Sequence, residues 1–143
     1  METGNLSEDY RPLILVAEDD DSNFKLIKAI IGKKCEILWA KNGEEMVGLF
    51  KENRGKTAAI LMDIKMPIMN GLEATKMLRK MDQYHGNTIP IIAMTANVAK
   101  TDMDKCLAAG MTGHLAKPLD IHALIAALAS VRKTGNAKME KKD

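Results

Sequence analysis

Four groupings in this 143-residue chain could carry chemistry: the run Glu18-Asp19-Asp20-Asp21, then Asp63, Thr95 and Lys117. Brought together, the carboxylates repel. Two of them about 5 Å apart cost roughly 3 kcal/mol at an effective dielectric near 20. The Lys117 ammonium offsets part of that cost and a divalent cation offsets much more. Oxygen-only ligands favour a hard ion, and Mg2+ takes one or two carboxylates together with water and a phosphate oxygen. Glu18, Asp19 and Asp63 therefore read as a site for Mg2+ (or Mn2+) that expects a phosphoryl group. A carboxylate beside such an ion and a lysine can attack phosphorus and form an acyl phosphate, with cationic neighbours neutralising the transferred oxygens. Asp20 and Asp21 are expected to cap a helix instead.

The elements around these residues explain why they should converge. Leu13–Ala17, Ile37–Ala40, Ala58–Met62, Ile89–Met94 and His114–Ala116 are short apolar runs bounded by breakers or acids, the pattern of buried strands. Helix-period segments separate them. Phe24, Ile27, Ile30 and Ile31 line the first; Met46, Val47 and Phe50 the second; Ala74, Met77, Leu78 and Met81 the third. A fourth spans about Val98 to Ala109 before Gly110, which suits a left-handed cap. The fifth carries the stripe Ile121, Leu124, Ile125, Leu128 and Val131. Continuous apolar strands alternating with helices form a parallel sheet covered on both faces, and right-handed crossovers make it doubly wound. Function in such a sheet gathers beyond the carboxyl ends of the strands. There the first strand delivers the acidic run, the third Asp63, the fourth Thr95 and Ala96, and the fifth Lys117 before Pro118. The second, ending near Lys41, delivers none of these groups, as suits an edge strand away from the site. Pro67 and Gly71 turn the chain after Asp63.

Composition narrows the function classes. Lys and Arg number 21 against 19 Asp and Glu, too small a surplus for an electrostatic nucleic-acid binder. No apolar run approaches the roughly 18 residues of a membrane span, and the polar first residues lack a signal-peptide pattern. The two cysteines, Cys35 and Cys106, form no CxxC pair and read as reduced, half-buried thiols of a cytoplasmic protein; a membrane anchor elsewhere in a longer parent stays compatible with this. Residues 1–11 read as a flexible segment, 12–132 as one domain, and 133–143 as a basic flexible tail or linker.

The segments ILVAEDD (14–20), ILMDIKMPIMNGLEA (60–74), IPIIAMTAN (89–97) and HLAKP (114–118) together resemble the receiver domain of two-component response regulators, over residues 12–131. The resemblance implies a (βα)5 flavodoxin-like three-layer sandwich whose five-stranded parallel sheet runs in the order 2-1-3-4-5. It implies that Asp63 accepts a phosphoryl group from a phosphohistidine, and that Glu18, Asp19, Asp63 and the main-chain carbonyl of Lys65 hold Mg2+. Thr95 would be the switch hydroxyl, with Ala96 and Lys117 contacting the phosphoryl group. His114 stands where the family places a ring that moves with the threonine. The Lys117–Pro118 bond matches the family's cis peptide. Lys65 and Asn97 occupy positions that set phosphoryl lifetime. The expected partners are a histidine kinase or histidine phosphotransfer domain, docking near Phe24, Lys25 and Lys28, with a weak homodimer through the face formed by helix four, strand five and helix five. No nucleic acid or membrane contact is expected. Such a domain is no turnover enzyme beyond gaining and losing its own phosphoryl group. IIAMTAN and HLAKPLD look most like receivers of hybrid sensor histidine kinases, with a free-standing single-domain regulator as the competing reading.

Plainer readings stand beside these. His114 could be a half-buried histidine closing a strand, Phe24 a core residue, and Met66, Met69, Met77 and Met81 core and loop packing. His85 and His122 read as solvent-facing, and no histidine has zinc-ligand spacing. A haloacid-dehalogenase-like phosphohydrolase also uses Asp, Thr, Lys and Mg2+, but its second acid would stand where Lys65 does. A dinucleotide-binding domain would need a glycine-rich turn after strand one, where four acids would repel a diphosphate. A phosphorylation-independent interaction module need not keep all five site residues.

Overall fold

The computed structural model describes residues 11–81, 86–97 and 99–130; of the expected terminal segments, residues 1–10 and 133–143 lie outside them, as do His85, Val98 and Val131. β1 (Leu13–Ala17) is buried at every position, so both of its faces must be covered. It pairs in parallel with β2 (Glu36–Ala40) on one side and β3 (Thr57–Asp63) on the other. β4 (Ile91–Thr95) and β5 (Gly113–Ala116) complete a parallel sheet in the order β2-β1-β3-β4-β5. The reversal of strand order between β1 and β3 opens a crevice at their carboxyl ends.

Alternating side chains divide the core in two. Leu15, Ala17, Ile60, Met62, Ile91 and Ala93 face helices α2 (Gly43–Glu52) and α3 (Gly71–Arg79), with Met46, Phe50 and Leu78 inserted between them. Cys106 of α4 (Lys100–Ala109) joins this layer. Ile14, Val16, Leu61, Ile92 and Met94 face α1 (Asp21–Ile31) and α5 (121–130), which contribute Ile27, Ile31 and Leu124. Both cysteines are buried, where half-buried thiols were expected, and no disulfide joins them.

The helix ends follow local chemistry. Asp20 caps α1 by accepting from the Ser22 and Asn23 N–H groups, while Asp21 sits in the first turn, where the helix dipole favours it. Asn42 caps α2, and Asn70 with Glu73 forms a reciprocal capping box on α3. Gly110 closes α4 at φ 109°, a conformation that side chains with a Cβ rarely adopt.

Four further expectations need correcting. β4 starts at Ile91 because Pro90 has no N–H to donate; it contributes only its carbonyl, to Ile60. α4 starts at Lys100 because the Asn97 side chain accepts from the Ala99 N–H, holding the preceding turn outside the helix. On α3 the buried face is Gly71, Ala74, Thr75 and Leu78, which leaves Met77 41% exposed. On α5 only Leu124 is fully buried, and Ile121 and Ile125 are each 50% exposed: the apolar stripe is wider than the surface the sheet can cover.

Candidate functional site

β1 and β3 end side by side, so their terminal acids meet. Glu18 is fully buried and Asp63 is 5% exposed, whereas Asp19 is exposed. One carboxylate oxygen from each of the three lies within 4.8 Å of the others. Lys117, carried in from the end of β5, places Nζ 3.0 Å from Glu18 Oε1 and 3.1 Å from Asp63 Oδ2. A single ammonium thus bridges two buried carboxylates.

The balance of charge is short on the positive side. Burial, and then the nearby Asp63 charge, push the Glu18 carboxyl up to about 7, against the opposing hydrogen bond from Lys117. Burial also works against the Lys117 ammonium, but its hydrogen bonds to Glu18 and Asp63 outweigh that and raise its pKa, so it stays charged. Glu18 Oε1 is buried and accepts no well-aligned hydrogen bond, although Lys117 lies beside it. A buried, under-satisfied carboxylate oxygen grouped with two further carboxylates and no soft donor is a donor set that fits a hard divalent cation. Mg2+ fits these residues.

The rim is built from the β3–α3 loop. A cavity of about 410 Å³ opens between Asp19, Ile64, Lys65, Met66, Pro67 and Asn70, so Lys65 and Asp19 line the same opening. Loop and site are held together by backbone contacts: Ile64 N–H donates to Met94, Gly71 N–H to Ile64, and Gly43 N–H to Met69. A Cβ on Gly71 would lie 2.3 Å from the Asp63 carbonyl oxygen, so only glycine lets α3 start this close to Asp63. Ile68, 77% exposed, sits at φ 70° between Pro67 and Met69, whose carbonyl and N–H bond across it at 2.7 Å. This is a strained γ-turn beside the opening.

Thr95 ends β4 and is 7% exposed. Its hydroxyl donates to the Asn97 carbonyl at 3.1 Å and accepts from the Asn97 N–H at 3.0 Å. Ala96 and Asn97 are exposed. The Lys117 N–H donates to the Thr95 carbonyl, and the Lys117–Pro118 bond is cis. His114 is exposed on β5, opposite Ala93 in register, so the reading of a half-buried strand-closing histidine does not hold. His122 is exposed on α5. Met66 is buried and Met69 and Met81 pack partly against the core.

β2 contributes a group that the strand-end reading missed. The Trp39 indole N–H donates to the Glu18 carbonyl at 2.7 Å, and its ring stacks on Phe24 at 4.1 Å between centroids, with 3° between the planes. The one available signal was compositional: this is the sole tryptophan of a chain with 3% aromatic residues, and it stands one residue before the end of a strand.

Comparison with known proteins agrees with this geometry. The family model described as response regulator receiver domain matches residues 14–129. The chain is 41% identical over 111 residues to hybrid signal transduction histidine kinase I of Dictyostelium discoideum, covering 75% of this chain and 6% of the relative; of two further hybrid kinases of that organism it spans 5% and 3%. Among solved structures it is similar to the receiver domain of sensor histidine kinase PA1611 from Pseudomonas aeruginosa PAO1, which has a magnesium ion coordinated in its active-site cleft (TM-score 0.75, 33% identity, covering 83% of this chain and 95% of that one). It is also similar to a chain in the Saccharomyces cerevisiae co-crystal structure of the histidine phosphotransfer protein Ypd1 with the receiver domain of Ssk1 (TM-score 0.75, 31% identity, 82% and 86%). No helix among the described residues is long and apolar enough to cross a membrane. With the family model reaching all five strands and the acidic crevice lying where the strand order reverses, the chain belongs to the response regulator receiver domain family, whose members act in two-component phosphorelays.

Proposed function

We propose that Asp63 is the phosphoryl acceptor of this receiver domain and that Glu18, Asp19, Asp63 and the Lys65 main-chain carbonyl hold the Mg2+ on which transfer depends. The observation that carries this reading is the Lys117 ammonium lying within 3.1 Å of both Glu18 and Asp63, with three carboxylate oxygens gathered beside it. An Asp63 carboxylate oxygen forms a bond to phosphorus as the phosphorus–nitrogen bond of the partner's phosphohistidine breaks, and the released imidazole takes a proton from water. Lys117 already lies on the acceptor and has no conformational search to make; it neutralises the phosphoryl oxygens as they arrive. The bound cation would supply further neutralisation of those oxygens.

Thr95 is the switch hydroxyl. To reach a phosphoryl oxygen it exchanges its bond to the Asn97 carbonyl for one to phosphate, with the neighbouring Ala96 as a further contact. His114 responds on β5, and the α4–β5–α5 face changes with it. Such a switch requires two states within a few kcal/mol of each other. Lys65, exposed on the same opening as Asp19, and Asn97, next to the threonine, set how readily water reaches the phosphoryl group.

The donor is a histidine kinase or a histidine phosphotransfer domain. The complex of a similar receiver with Ypd1 supports this, as do Lys25 and Lys28, exposed on α1, the helix that follows the acidic run. Exposed Leu107, Ile121 and Ile125 on α4 and α5 support weak self-association through that face. The hybrid kinases among the relatives support a parent of that type, with a free-standing regulator as the second reading.

Backbone amide spectra with Mg2+, before and after adding a beryllium fluoride mimic of the phosphoryl group, test the proposal. Mg2+ should shift amides around Glu18, Asp19 and Asp63, and the mimic should extend the shifts to Thr95, His114 and α4. An unchanged spectrum with both additions would remove the basis of the reading.

A further inference from the structure

The β1–β2 ladder ends in an unusual way. Glu18 N–H donates to the Ala40 carbonyl at 2.9 Å, so one more step of a parallel ladder would bring a β2 backbone donor to the Glu18 carbonyl. The donor in register is the Asn42 N–H, and no bond from it to the Glu18 carbonyl occurs among the described residues, because the chain turns toward α2 at this point. The Lys41 N–H goes to the Glu45 carboxylate at 2.8 Å, and Asn42 becomes the cap of α2. The Trp39 indole N–H fills the gap at 2.7 Å.

The bonded carbonyl belongs to the peptide that joins Glu18 to Asp19, so its orientation fixes how the two carboxylates are presented. The indole itself has little freedom. One face lies on Phe24 of α1 with the rings nearly parallel, and the Lys41 ammonium sits 5.0 Å from its centre. We infer that Trp39 is a positioning residue for the Mg2+ site: its indole N–H locks the Glu18–Asp19 peptide so that both carboxylates face Asp63, and the same bond makes the indole a reporter of the site's occupancy. This rests on the Mg2+ reading above.

The wild-type chain gives the first test, because its single tryptophan yields a single indole N–H resonance. That resonance should move during a Mg2+ titration with the same midpoint as the Asp63 amide. The Trp39→Phe variant keeps a ring against Phe24 and removes the donor. In Mg2+-free buffer its Asp19 amide should shift relative to wild type. Mg2+ should bind about fivefold more weakly, the loss of one ordinary hydrogen bond. Phosphorylation by a small acyl phosphate should need correspondingly more Mg2+ for half-saturation while reaching the same plateau. Phe24→Leu, which spares the donor, should change Mg2+ affinity much less. An indole resonance that ignores Mg2+ while Asp63 responds, or a Trp39→Phe variant with wild-type affinity and an unmoved Asp19 amide, overturns the role of Trp39 and leaves the metal reading standing. A wild-type chain whose Asp63 amide also ignores Mg2+ overturns both.

Discussion

Two half-buried cations sit at opposite ends of the sheet and are treated in opposite ways. At the amino ends of β4 and β5, the Arg79 guanidinium donates to the carbonyls of Gly110, Gly86 and Ile89 at 2.8, 2.9 and 2.6 Å, and reaches the Thr112 hydroxyl at 3.4 Å. No carboxylate takes part in these bonds, and burial lowers its pKa. At the carboxyl ends, Lys117 meets two buried carboxylates that lack enough positive charge between them. The first arrangement ties the end of α3 to the turns before β4 and β5, with its neutral partners satisfied. The second leaves a carboxylate oxygen under-satisfied and holds like charges together, a repulsion that a bound divalent cation would relieve. One end of the sheet satisfies its cation with neutral partners, and the other leaves carboxylate charge in excess.

Exchanging charge for neutrality at each end separates these roles. The largest effect is expected from Asp63→Asn, which should take up no phosphoryl label from a phosphorylated histidine donor. It should nonetheless melt a few degrees higher than wild type in Mg2+-free buffer, a gain on the order of 1 kcal/mol, because the repulsion with Glu18 is gone. Arg79→Met should do the reverse. Three carbonyls lose their donor, and unfolding by urea should show a loss of about 3 kcal/mol, while the folded fraction is phosphorylated at the wild-type rate.

Titration of Glu18 sharpens the contrast. Its carboxyl is raised in the folded protein, so its contribution to apo stability is fully present below the unfolded value of 4.5 and is lost as pH rises through about 7. Mg2+-free urea melts from pH 5 to pH 8 should show this decline, and Glu18→Gln should lack it. The cation must displace the proton, so calorimetric Mg2+ affinity should fall by about tenfold per pH unit below 7. The smallest effect is expected at Asp20. Its side chain caps α1, so Asp20→Ala should cost about 1 kcal/mol in a thermal melt with little change in Mg2+ affinity, whereas Asp19→Asn should weaken Mg2+ with little change in stability.

The difference between the two ends also governs what could be read in advance. Strand ends were legible because an apolar run such as Ala58–Met62 has no surface reason to finish in Asp63, and β1 came out as Leu13–Ala17 because its apolar run stops at an acid. The edge position of β2, the Asp20 cap and the left-handed Gly110 followed from residue chemistry alone. Side chains that act across the fold were not legible. Arg79 reaches residues up to 33 positions away and carries no local pattern, and the Trp39 bond to Glu18 depends on where β2 leaves the sheet. Met77, Ile121 and Ile125 show the other gap: periodicity gives the width of an apolar stripe and leaves open how much of it a partner layer covers.

Asp63 is the proposed destination of the phosphoryl group, and borohydride reduction of the acyl phosphate reads that destination at the residue itself. Incubated with Mg2+ and a phosphohistidine donor, then reduced and digested, the chain should show homoserine at position 63 by mass spectrometry, and only there. Label stably incorporated with an unreduced aspartate at 63, or homoserine at another acid of the crevice, would contradict the account.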